Sequence, residues 1–269
     1  MDAHGWYLMP GVIDPHVHFG LKSRGTVTAD DFAIGSASAA RAGGVTTVID
    51  YADHLSGTDL VESARARMGE IAGRSFVDWT LHQNVTRVDA DLDGQLAALA
   101  RLGIASIKCF TTYKEAGYML DGADLEQVIA AAARAGLLTT VHAEDDELLA
   151  AARSAATAAG DVGPGAHGRC RPAAAEVAAV EGAIAAAARA GGPIYIVHVS
   201  TAGAAQAIAA ARGRGQAVFA ETCPHYLLLD EGVYWRGDGE ARLFIMSPPL
   251  RGAEHGQALW EAVAAGDID

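Results

Sequence analysis

Five residues in this chain could converge on a metal ion: His16, His18, Lys108, His142 and His198. His16 and His18 stand two apart in PGVIDPHVH, at the end of a β-branched run. Alternation along a strand puts such a pair on one face, side by side. Neutral imidazole is the commonest metal ligand among side chains. His142 ends the run TTVHAED and His198 the run IYIVHVS, so each has the same place relative to its own strand. Lys108 lies in SIKCFTTYK between apolar neighbours. A cationic amine buried there is costly unless paired or altered, and a buried lysine readily loses its proton and becomes reactive. Reaction with carbon dioxide would turn it into a carbamate, an anionic oxygen ligand able to bridge two metals. A lone histidine is more often an ordinary surface or core residue, and His4, His54, His82, His167 and His255 are read that way.

The elements that must position these residues alternate. Strands are expected at 11–19, 45–52, 76–85, 106–113, 137–144, 193–200 and 217–229. Helices are expected at 29–42, 58–72, 91–102, 122–135, 172–190, 202–214 and 256–265. Several of the helices end in glycine (Gly43, Gly73, Gly103, Gly136 and Gly191), which suits a left-handed terminal cap. Strand–helix alternation implies βαβ units and a parallel sheet. The candidate ligands sit at strand C-terminal ends, the face that carries the active site in a (β/α)8 barrel. The fold expected is therefore α/β, a TIM-like (β/α)8 barrel, incomplete with about seven strands, forming a single domain over residues 1–269. An open doubly wound sheet is the alternative, weakened because no Gly-rich phosphate fingerprint follows the first strand.

Bulk properties narrow the function classes. The chain has 269 residues, 51% of them hydrophobic, and a formal net charge of −13. An acidic surface argues against nucleic acid or an anionic membrane as partner. The three cysteines, Cys109, Cys170 and Cys223, have no CxxC spacing, so a disulfide framework is not expected and a cytoplasmic setting is. No signal peptide or membrane span is read from the sequence.

In order, PGVIDPHVH, SIKCFTTYK, TVHAED, IYIVHVS, ETCPHYLLL and SPPLR resemble the cyclic amidohydrolases of the amidohydrolase superfamily, over nearly the whole chain. The resemblance implies two divalent metals, usually zinc. His16 and His18 would bind one, His142 and His198 the other, and a carboxylated Lys108 would bridge both. It implies ring opening of a cyclic amide by a metal-bridging hydroxide, and a homo-oligomer, tetrameric in the family. Dihydroorotases carry an arginine two residues after the second histidine, where this chain has Gly20. Allantoinases share a CPHYL-like segment and remain the alternative substrate class. Tyr113, five residues after Lys108, and the stretch from Gly25 to Ala52 look like dihydropyrimidinases and hydantoinases. By that resemblance Tyr113 would donate to the developing oxyanion, and Ser247 of MSPPLR would hold the ring amide through its backbone. Cys223-Pro224-His225 is expected to shape the end of the seventh strand.

The sequence departs from the family in two respects. The catalytic Asp of the family's TDH motif, at the end of an eighth strand, has no counterpart before Asp269, and the flanking β-sandwich segments are not found. The chain is thus expected to hydrolyse poorly by itself, and a metal-binding pseudoenzyme or assembly subunit is a second reading.

Overall fold

The computed structural model describes residues 2, 4–23 and 25–269. They form two compact units: residues 1–84 with 94–106, and residues 85–93 with 107–269.

In the first unit, β1 (Val12–Asp14) leads to a small antiparallel pair, β2 (Lys22–Ser23) and β3 (Thr26–Val27). Then come α1 (Phe32–Gly43), β4 (Val45–Ala52), α2 (Leu60–Ile71) and β5 (Asp78–Asn84). Strands β1, β4 and β5 pair in parallel in that order, Ile13 opposite Thr47 and Ile49 opposite Thr80. Helices α1 and α2 each begin on an aspartate. Asp31 accepts from the Ile34 amide, and Asp59 makes a capping box with Glu62, so donors that the first turn would leave unpaired are satisfied. The core is Val48, Leu60, Ala64, Ile71 and Leu81, all fully buried, joined by Leu96 and Leu99 of α3 (Leu92–Arg101). β1 lies close to β4 at Gly11, where a Cβ would stand 2.1 Å from Thr46 Oγ1.

In the second unit the parallel strands are β6 (Ser106–Phe110, its first residue counted with the first unit), β7 (Leu138–His142), β8 (Ile194–Ile196) and β9 (Val218–Ala220), again in chain order. The helices are α4 (Gly122–Arg134), α5 (Asp146–Ala158), α6 (Ala166–Cys170), α7 (Ala173–Ala190), α8 (Ala202–Gly213), α9 (Pro224–Leu228), α10 (Asp238–Ala241) and α11 (Ala253–Ala265). Residues Ser106 to Cys109 of β6 are all buried, as expected for a parallel strand covered on both faces. The last residue follows β9: the Asp269 amide donates to the Ala220 carbonyl at 2.9 Å, and its carboxylate accepts from the Ala220 amide.

Several sequence expectations need correction. Residues 217–229 are not one strand. Pairing ends at Ala220, and Pro224, whose ring suits a first helical position, opens α9 instead. The ladder of β1 stops at Asp14, before Pro15, which has no N–H to donate. Helix α5 was not expected. Gly43 is the last residue of α1, and Gly44 (φ +63°) takes the left-handed cap; Gly191 caps α7 as expected, whereas α2 and α4 are capped by Ala72 and Ala135, with Gly73 and Gly136 following at positive φ. Among the described residues no helix is long and apolar enough to cross a membrane.

Candidate metal and amide site

The first unit presents His16 and His18 on the segment just past β1. Beyond the end of that strand the Val17 amide donates to the Ile49 carbonyl at 3.1 Å, so Val17 turns inward and the flanking imidazoles project together. Their Nε2 atoms lie 3.2 Å apart. Tyr51, at the end of β4, stacks on His18 with ring centroids 4.5 Å apart and lies 4.8 Å from His16. Downstream, the Phe19 amide donates to Asp50, and Asp50 accepts from Arg67 Nε at 2.8 Å and Nη2 at 2.6 Å. Burial pushes the Asp50 carboxyl up to about 6, against the pull of Arg67. The Arg67 guanidinium also donates to the Phe19 carbonyl, so both peptide groups beyond His18 are tied to a buried ion pair.

In the second unit Lys108 is fully enclosed at the centre of β6. Burial pushes its amine down to about 7, opposed by Glu221 and the thiols of Cys109 and Cys223. A neutral amine is the form that reacts with carbon dioxide. The Cys109 thiol, buried and raised to about 12, stays protonated and unsuited to metal binding. His142 closes β7, 4% exposed. Its Nε2 lies 2.7 Å from Glu144 Oε2. Burial keeps the imidazole neutral, so Nε2 donates the proton and Nδ1 holds a lone pair. A carboxylate on the far nitrogen of a histidine is the usual way to fix the ring of a metal ligand. Burial opposes ionisation of Glu144, but the hydrogen bond from His142 and the Arg171 guanidinium hold its carboxyl down to about 2. Arg171 engages both oxygens of that carboxylate, Nε to Oε1 at 3.0 Å and Nη2 to Oε2. His198 stands two residues past β8 with φ +43°, its ring edge-on to His142 at 4.6 Å.

Tyr113 joins this cluster. Its backbone is left-handed (φ 66°, ψ 38°), and its ring lies 5.1 Å from that of His142. Arg171 Nη2 donates to its hydroxyl at 3.3 Å. An arginine has no acceptor, so the tyrosine oxygen accepts here. Ser247 is half-buried and joined to Pro248 by a cis peptide. Its loop is pinned by the Tyr226 hydroxyl to the Pro248 carbonyl (2.7 Å) and by the Leu250 amide to the Tyr234 hydroxyl (2.9 Å). His167 and His255 engage backbone groups, the Met246 carbonyl and the Ala202 amide. Glu144 and Arg171 were not singled out from sequence; the one signal was the acid two residues past His142.

Among the described residues no group of three or more His, Cys, Asp or Glu side chains forms a ready-made metal cluster. The donors come as an imidazole pair in each unit. The first pair fits a metal ion: two nitrogens bound to tetrahedral zinc at roughly 2.05 Å are about 3.3 Å apart, against the 3.2 Å seen here.

A sequence profile of the amidohydrolase family matches residues 7–164, more than half of the chain. The chain belongs to the amidohydrolase family. As an amidohydrolase it is 35% identical over 269 residues to the D-hydantoinase of Geobacillus stearothermophilus, covering all of this chain and 57% of that protein. A D-phenylhydantoinase of Escherichia coli is also 35% identical, with 58% of its length covered. The crystal structure of dihydropyrimidinase from Brevibacillus agri superimposes with a TM-score of 0.96 at 36% identity, over 100% of this chain and 58% of that one. This amidohydrolase chain thus spans a little over half the length of the curated relatives it matches. Its seven parallel strands with their helices are those of an incomplete TIM-like barrel, and family membership implies use of a divalent metal.

Proposed function

We propose that the protein is a metal-dependent hydrolase that opens a cyclic amide, a dihydropyrimidine or a 5-substituted hydantoin. Its similarity to proteins named D-hydantoinase and dihydropyrimidinase supports the substrate class. The observation that carries the reading is the 3.2 Å approach of His16 Nε2 and His18 Nε2, a spacing that suits two ligand nitrogens on one cation. His16 and His18 would hold one divalent ion, most simply zinc, and His142 and His198 a second. Lys108, as its carbamate, would be a further ligand. When bound, such a pair lowers the pKa of water and polarises a carbonyl oxygen. The chain's own residues do the rest. Glu144 fixes the His142 ring, and the Tyr113 hydroxyl would donate to the oxygen on which negative charge develops. Ser247 would hold the ring amide through its backbone. No arginine stands at Gly20 to demand a carboxylate on the substrate, which favours neutral rings over dihydroorotate. Residues 1–269 would act as a single barrel domain within a cytoplasmic homo-oligomer.

The test is ring opening of dihydrouracil, 5-substituted hydantoins, allantoin and dihydroorotate by the natural full-length protein, with metal content measured in parallel. Turnover of the first two supports the assignment. Preference for allantoin or dihydroorotate overturns the substrate class. Bound metal with no turnover on any of the four favours a metal-binding pseudoenzyme or assembly subunit.

A further inference from the structure

His82 lies 67 residues from Pro15 in sequence, yet its Nε2 stands 2.9 Å from the Pro15 carbonyl. A peptide carbonyl only accepts, so Nε2 carries the hydrogen. Nδ1 is then an acceptor, and it is met at 2.6 Å by the hydroxyl of Ser106, which donates. Both contacts lie within the first unit, and His82 itself is 7% exposed. The ring packs at 4.8 Å against Tyr51, the same ring that stacks on His18. Pro15 precedes His16 directly and donates nothing to the ladder, so its carbonyl sits where β1 has stopped. The next two amides are held as well, His16 by Asp14 Oδ1 and Val17 by Ile49. The Pro15–His16 peptide is therefore held at both its carbonyl and its amide, and the His16–Val17 peptide at its amide; the hold on the carbonyl is supplied by a side chain from β5.

We propose that His82 is a positioning residue for the His16–His18 pair. It donates to the Pro15 carbonyl and packs against Tyr51, so that the two Nε2 atoms are held at metal-sharing distance before an ion arrives. The role rests on the reading that this pair binds metal. Holding two ligands in place lowers the ordering cost that metal binding must otherwise meet, and loss of such outer partners typically weakens metal affinity about 10- to 100-fold.

The experiment titrates the chain with Co2+ and compares wild type, His82→Phe, His82→Gln and the double variant His16→Ala/His18→Ala. Phenylalanine keeps a ring against Tyr51 but loses the donor; glutamine keeps a donor that can reach Pro15. The expected result is a Co2+ affinity about 10- to 100-fold weaker in His82→Phe, substantially restored in His82→Gln, with thermal midpoints that do not follow the same order. Unchanged affinity in His82→Phe overturns the proposal. So does an equal loss in both variants that tracks their thermal midpoints, because His82 is then only structural. If the double variant binds Co2+ as well as wild type, the metal reading of the pair falls, and this role falls with it. A second measurement needs neither metal nor variant. Long-range 15N–1H correlation spectra of wild type should show His82 as the Nε2–H tautomer at neutral pH; the Nδ1–H tautomer would break the grip on Pro15 and sink the idea by itself.

Discussion

His16–His18 in the first unit and His142–His198 in the second use the same residue type on opposite principles. The first pair stands on a segment past β1 with His18 exposed and His16 half-exposed, and it is held by ring stacking and tethered peptide groups. The second pair is buried, and His142 is held through its own ring nitrogen by a carboxylate that a guanidinium neutralises. Backbone tethers fix where a ring starts, while a ring-nitrogen hydrogen bond also fixes its tautomer and tilt. The second arrangement therefore gives the more sharply defined ligand, and it leaves a buried charge wholly dependent on its partner.

That dependence yields the largest effect. In Arg171→Met the Glu144 carboxylate, with a fully buried side chain, loses its main counter-charge. Removing one partner of a buried pair typically costs about 3–5 kcal/mol, to be read by guanidinium denaturation. Adding Glu144→Gln should recover much of the loss. A loss in Arg171→Met below about 1 kcal/mol, the range of an exposed pair, would erase the distinction between the two regions. The next effect is on binding. Glu144→Gln alone should weaken divalent-metal affinity at the His142–His198 pair about 10- to 100-fold, measured by competition with a chelating dye. Asp14→Asn, which keeps an acceptor for the His16 amide, should leave the first pair's affinity unchanged. Equal sensitivity to both changes would mean that the two pairs are held alike.

Much of this was legible in the sequence, for reasons that differ by element. Strand β4 is found over the residues expected, Val45–Ala52, because burial on both faces and β-branching agree there. His142 and Lys108 were legible because a single strand carries each of them into the interior. Helix α5 was missed because Leu149 is its only buried residue, so no apolar stripe marks it. Residues 217–229 were misread because their apolar content runs on past Pro224, where the backbone has already turned. Glu144–Arg171 and His82–Pro15 were illegible for a deeper reason. Their partners are 27 and 67 residues apart, and no periodicity encodes a tertiary hydrogen bond.

A smaller effect confines itself to the first unit. Gly11→Ala puts a methyl group into Thr46 at the β1–β4 approach. Overpacking of this kind costs about 1–3 kcal/mol, and hydrogen exchange should show the loss in β1 and β4. Protection falling as much in β7 and β8 would mean that the two units do not open separately.

The smallest effect on stability falls at Tyr113, and there stability and chemistry should move in opposite directions. A non-glycine residue in the left-handed region costs about 1–2 kcal/mol, and Tyr113 sits there with φ 66°. Such strain persists only where the surroundings over-determine it, and it gathers at functional sites. Here the ring is placed against His142 and the hydroxyl against Arg171. Tyr113→Gly relieves the backbone but removes the ring, so the two contributions should largely cancel, with the folding free energy within about 1 kcal/mol of wild type. Tyr113→Phe keeps strain and ring and loses only one hydrogen bond, worth about 1 kcal/mol. If the hydroxyl donates to a developing oxyanion, Tyr113→Phe should lower kcat for hydantoin opening in the natural full-length protein about 100-fold or more, with KM and metal content little changed. A fall in metal content that matches the fall in turnover would instead make the tyrosine part of the scaffold around His142, and the left-handed backbone a by-product of packing.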